Sequence, residues 1–202
     1  MRNVLLTGVG GQGTVLAAKM LAQAAQAKGW QVRTAETIGM AQRGGNVVSH
    51  VRIGNKGEQV HAPLVSRGTV DLIIAFEPAE AARVLPYLAP DGVVVSATTS
   101  IQPITAALSP EPYRAEGVTA ALSRELNGVP GAPTRFVPVD DEAVLTQVGN
   151  RKALNTVLLA SALKTGHLPL SLDDLRDAVR ACVKPRFVDV NLSAIDLVES
   201  GA

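Results

Sequence analysis

The stretch Gly8-Val9-Gly10-Gly11-Gln12-Gly13 lies directly after the apolar run Val4-Leu5-Leu6 and directly before a segment with helical apolar spacing. It constrains the fold more than any other feature of the chain. Residues Asn3 to Thr7 read as a short strand, and Thr14 to Lys28 carry Val15, Ala18, Met20, Leu21, Ala24 and Ala25 at helical intervals, with Gly29 as the stop. Only a tight turn fits between the two. A strand that turns straight into a helix must lay that helix back on its own sheet, so the chain opens as the first half of a parallel crossover.

The rhythm continues downstream. Gln31 to Ala35 reads as a second strand, and the glycines and polar residues of "ETIGMAQRGGN" as a loop. "NVVSHVRIG" from Asn46 to Gly54 is rich in β-branched residues, and "KGEQVHAPLV" after it reads as the return strand of a hairpin excursion. "VDLIIAFE" is a buried strand, "PAEAARVLPYL" a helix with proline at its start, "GVVVSAT" another strand. Pro103, Pro110 and Pro112, with Pro90 upstream, mark an exposed irregular excursion between Ser100 and Pro112. "TRFVPVD" is a further strand, Asp140 or Asp141 caps the helix through Ala143 to Val148, and the remainder is helical, with Ser171 placed as a cap. The expected architecture is a single α/β domain over residues 1–202: Rossmann-like, three-layered, with a mainly parallel sheet, a β-hairpin excursion and a helical C-terminal part.

Composition removes several classes of function. The formal charge of +1 comes from 19 basic and 18 acidic residues dispersed along the chain, without the basic block that a row of phosphates requires, so no nucleic acid is expected as partner. No signal-like N-terminal segment and no bilayer-length apolar run is present, which points to a cytoplasmic protein with no membrane contact. One cysteine, Cys182, excludes an internal disulfide and an iron–sulfur cluster held by this chain alone, which takes about four thiolates. Cys182 continues the apolar pattern Leu175, Ala178, Val179 and reads as a small buried hydrophobe. The histidines His50, His61 and His167 have no metal-ligand spacing, so no metal is expected.

Gly8, Gly10 and Gly13 satisfy G-x-G-x-x-G in the context of a dinucleotide fingerprint. Two readings follow from the residues. Either the glycines bring backbone N–H groups at a helix N-terminus up to an anionic ligand, or they only let the first helix pack closely on the first strand. A nicotinamide fold also wants an acid about 20 residues on, and Glu36 follows Gly13 by 23. A free-standing NAD(P)- or flavin-binding oxidoreductase therefore stands as an alternative, although no downstream hydride-transfer site is evident. A regulatory nucleotide-binding module is a third.

"GVGGQG" with its Gln12, followed by "ETIGMAQRGGNVVSHVRIG" and later by "GNRKALNTVLLASAL", resembles the gamma-type subunit of 2-oxoacid:ferredoxin oxidoreductases, in particular those acting on indolepyruvate. The resemblance runs over nearly the whole chain. It implies a subunit of a complex that oxidatively decarboxylates a 2-oxoacid to an acyl-coenzyme A and passes electrons to ferredoxin. Thiamine diphosphate, Mg and iron–sulfur clusters would belong to the partner subunit, coenzyme A would be co-substrate, and this chain would be silent alone and free to form a homodimer in isolation. Ligand or partner-subunit contacts are expected at Gly8, Gly10, Gly11, Gln12 and Gly13, and at Gln42, Arg43, Gly44 and Gly45; no residue is assigned a catalytic role.

Topology gives a reason to group the two loops, since loops leaving the carboxyl ends of neighbouring parallel strands line one crevice. Arg43 beside two glycines offers a planar donor fork next to open backbone, suited to a carboxylate or phosphate; the plain alternative is a turn with a solvated charge. Asn155, a polar residue in the apolar helix Leu154 to Leu163, either is buried and pins a loop or the glycine turn, or faces solvent. His50 alternates with Ser49 and Arg52 in a strand that could turn it toward an interface.

Overall fold

The computed structural model describes residues 1–39, 45–101, 113–129 and 131–201. Six strands form one sheet: β1 (Arg2–Val9), β2 (Gln31–Ile38), β3 (Asn46–Gly54), β4 (Val70–Ala75), β5 (Leu88–Ala97) and β6 (Phe136–Val139), in the order β2-β3-β1-β4-β5-β6. The pairs β1/β4, β4/β5 and β5/β6 are parallel, while β3 is antiparallel to both β1 and β2. The helices are α1 (Thr14–Ala27), α2 (Pro78–Val84), α3 (Ala115–Asn127), α4 (Asp141–Val148), α5 (Leu154–Lys164), α6 (Leu172–Cys182) and α7 (Val188–Ser200).

Alternation along the strands divides the core in two. Val4, Leu6, Leu72, Ile74, Val93 and Val95 point to the face covered by α1 and α4 to α7, whereas Leu5, Ile73, Ala75 and Val94 point to α2 and α3. Both faces are dry, so β1 and β4 read as continuous apolar runs. Sequence signals for helix starts hold: Asp140 caps α4 by accepting from Ala143 N, Glu77 precedes Pro78 and caps α2, and Ser171 and Asp174 form a reciprocal capping box on α6.

The excursion differs from expectation in one respect. "KGEQVHAPLV" forms no strand; the antiparallel pair is β2 with β3, and β3 inserts itself between β2 and β1. Residues 55–69 run instead as irregular chain tied down by side chains of the strands: Val60 N donates to Gln31 Oε1, Arg52 Nη1 donates to Ala62 O at 3.0 Å, and Val65 N donates to His50 Nδ1 at 3.3 Å. His50 is therefore interior, set edge-on to Tyr87, and is no interface residue. Burial pushes its pKa down, against a smaller upward pull from Glu36. Cys182 is only half-buried, at the rim of the core. The proline-rich excursion lies, for residues 102–112, outside the described residues.

Candidate functional site

The connection from β1 covers one face of the sheet with α1, and the connection from β4 covers the other with α2. The sheet thus switches direction between β1 and β4, where an open α/β sheet leaves a crevice at the carboxyl ends of its strands. The Gly8–Gly13 turn sits there. Gly8 must be glycine because a Cβ would come within 2.7 Å of Gln12 Oε1 and 2.8 Å of Phe76 Cβ; Gly11 and Gly13 have φ of +98° and +88°.

Gln12 is a strap inside the loop. Its Oε1 accepts from Val9 N at 2.7 Å and its Nε2 donates to the Phe76 carbonyl at 2.8 Å, which locks the end of β1 to the residue following β4. Gly13 begins α1 in a left-handed conformation with no side-chain cap, and the first turn contains no acid. The free N–H groups and positive dipole end of α1 are thus left for something outside the helix. Asn155 of α5 is buried and does not face solvent, and its Nδ2 lies 3.5 Å from the position a Gly13 Cβ would take, beside the glycine turn.

A cavity of about 480 Å³ opens in front of this turn, lined by Gly11, Gln12, Gly13, Asn155, Arg151 and Lys152 together with apolar Leu16 and Phe76. Through Leu16, Lys152 and Asn155 it joins a second cavity of about 390 Å³ walled by Cys182, Lys184, Arg186 and Phe187. Lys152 and Arg186 stack over the Phe187 ring at 5.1 and 4.8 Å. The carbonyl of Phe187 is held by Asn191 Nδ2, and Asn191 Oδ1 accepts from Thr156 Oγ1, so the basic wall is anchored to α5 from within. Asp141 also lines the first cavity, but its Oδ1 accepts the Thr98 and Thr99 N–H groups, each at 3.0 Å, which engages its charge. A further cavity of about 680 Å³ between α3 and β6 is lined by Glu116, Asp140 and Glu142, the opposite electrostatic sign.

Of the expected contact residues, Gly8, Gly10, Gly11, Gln12 and Gly13 come together, and Gly45 joins them: Gly10 N donates to Gly45 O at 2.9 Å. Gln42, Arg43 and Gly44 lie outside the described residues. Glu36 does not reach the turn. With β3 between them, β2 stands two strand spacings from β1, roughly 10 Å instead of 5 Å. The ribose acid of a nicotinamide fold would have to sit on the adjacent strand. Sequence reasoning missed Arg151, Lys152, Lys184 and Arg186, because nothing in their spacing shows that two helix starts face one turn.

Fold and site together define an α/β domain with a basic-walled crevice at its sheet switch point, from which Glu36 is separated by β3. Residues 3–198 match the pyruvate ferredoxin/flavodoxin oxidoreductase family, and the chain belongs to that family. It is 36% identical over 196 residues to the indolepyruvate oxidoreductase subunit IorB of Pyrococcus horikoshii, covering 96% of this chain and 93% of that one. The IorB subunit of Archaeoglobus fulgidus is 36% identical over 197 residues, covering 96% and 92%. The gamma subunit of a keto/oxoacid ferredoxin oxidoreductase from Geobacter sulfurreducens has the same fold, with a TM-score of 0.67 at 21% identity over 98% of this chain and 95% of that one. Among the described residues no helix is long and apolar enough to cross a membrane.

Proposed function

We propose that residues 1–202 form one gamma-type domain that acts as the non-thiamine subunit of a 2-oxoacid:ferredoxin oxidoreductase, with indolepyruvate or another aryl pyruvate as substrate. It completes the active site beside a larger subunit that carries thiamine diphosphate, Mg and iron–sulfur clusters and delivers electrons to ferredoxin; alone it is inactive. The observation that carries the reading is the convergence of the uncapped α1 N-terminus with Arg151 and Lys152 on one crevice, in a chain that matches an IorB subunit over 96% of its length.

The residues of this chain do not suit the redox groups themselves. One cysteine cannot supply the thiolates of a cluster, and among the described residues no three His, Cys, Asp or Glu side chains gather as metal ligands. They suit an anionic co-substrate instead. The turn at Gly10–Gly13 supplies backbone N–H groups, Arg151 and Lys152 supply charge, and the Phe187 wall supplies an apolar surface, which together fit the phosphates and body of coenzyme A. Gln42, Arg43, Gly44 and Gly45 are assigned, from the sequence, to contact with the thiamine subunit or the same ligand.

Calorimetric titration of the chain with coenzyme A, NADH and FAD, followed by mixing with the thiamine subunit and assay of 2-oxoacid-dependent ferredoxin reduction, tests this. Activity only on mixing, with no dinucleotide bound, is expected; tight NADH or FAD binding by the chain alone refutes it. Arg43→Ala is expected to change the unfolding free energy measured in urea by no more than about 0.5 kcal/mol and to lower the activity of the complex.

A further inference from the structure

The two edges of the sheet are built differently. β6 is four residues long and contains Pro138, two devices that keep an edge from recruiting another strand. β2 is eight residues long, Gln-Val-Arg-Thr-Ala-Glu-Thr-Ile, without proline, lysine or bulge. Thr34, Glu36, Thr37 and Ile38 on it are exposed, and Ile38, at 69%, is the most exposed large hydrophobic residue described.

The ladder shows which backbone groups this edge offers. Gly39 N donates to the carbonyl of Asn46, the residue directly opposite, at 2.8 Å, so the odd-numbered residues of β2 exchange hydrogen bonds with β3. The N–H and C=O groups of Val32, Thr34, Glu36 and Ile38 consequently point away from β3, toward the open edge.

We propose that β2 pairs antiparallel with β2 of a second copy of this chain, about a two-fold axis through Ala35, joining the two sheets edge to edge. In that register every hydrogen-bonded pair draws on the outward-pointing set: Val32 opposes Ile38 of the second copy and Thr34 opposes Glu36. On the other face Arg33 opposes Thr37. Ile38 gains an apolar neighbour, and each charge meets a threonine. Competing registers are worse. An axis at Glu36 or Arg33 sets like charges face to face, and one at Thr34 sets Val32 against Glu36 and leaves three hydrogen-bonded pairs within the strand instead of four. β3 separates this edge from the glycine turn, so pairing leaves the crevice open.

Sedimentation velocity of the full chain over a wide concentration range is expected to show the dimer mass. Ile38→Lys is expected to yield a folded monomer whose melting temperature matches that of the wild-type chain diluted until it dissociates, because the side chain is exposed in the single chain. In a Cys182→Ala background, Ala35→Cys is expected to form an intermolecular disulfide under mild oxidation, since opposed residues at such a position have Cα atoms about 4.5 Å apart. Thr37→Cys, roughly 13 Å from its symmetry mate, is expected to form none. A monomer at every concentration, or a dimer insensitive to Ile38→Lys in which Ala35→Cys fails to cross-link, overturns the proposal. So does a monomeric chain whose Ile38→Lys variant fails only to assemble with the thiamine subunit, because the edge then serves that subunit.

Discussion

Gln12 shows how a residue inside a familiar motif can acquire a job the motif does not mention. The glycines around it were legible as turn-formers from their spacing, but its bonds to Val9 N and the Phe76 carbonyl depend on β4 lying next to β1, a long-range fact. Gln12→Glu keeps the acceptor toward Val9 and turns the donor into an anion facing a carbonyl. A loss of about 1–3 kcal/mol at neutral pH is expected in urea denaturation, partly recovered in acid as the carboxyl becomes protonated. His50 gives a pH dependence of known sign. The folded state depresses its pKa, so below about pH 6.5 the unfolded chain binds a proton that the folded chain refuses. Stability is then complete above that pH and falls as pH drops toward the lower folded value. Denaturation at pH 7.5 and 5.5 should show the decline, and His50→Asn should flatten it.

At the scale of elements, helix starts were readable where a local signal existed: Pro78 at α2, Asp140 at α4, Ser171 at α6. The partner of β3 was not, because its β-branched residues pair as readily with the strand before it as with one after it, and only tertiary packing makes that choice. The loops at the carboxyl ends are likewise set by contacts between elements. Asp141, at the start of α4, holds the chain leaving β5 through the Thr98 and Thr99 N–H groups. Asp141→Ala removes the acceptor of the Thr99 N–H and leaves Thr98 N with the Val139 carbonyl alone; a loss of about 1–3 kcal/mol is expected, with faster amide exchange at Thr99 as the direct check.

For the whole molecule, a net charge of +1 conceals an uneven distribution: Arg151, Lys152, Lys184 and Arg186 wall two neighbouring cavities while Glu116, Asp140 and Glu142 line another, with Arg151 Nη1 3.7 Å from Glu142 where the two regions meet. Composition averaged this away, which is why the crevice was not visible in the sequence although half of its rim, the glycine turn, was. Lys152→Ala is expected to weaken coenzyme A binding about fivefold at low ionic strength, a difference that salt should diminish in calorimetry. The insertion of β3 between β2 and β1 also bears on how the chain is made. Residues 2–54 contain β1, α1, β2 and β3 with all their mutual pairings, so this half of the sheet needs nothing from downstream to close. As the chain leaves the ribosome, the glycine turn is bounded on one side before its other wall has been translated. β4, β5 and β6 lie in sequence order outward from the free side of β1, so the topology offers each a neighbour that precedes it in the chain.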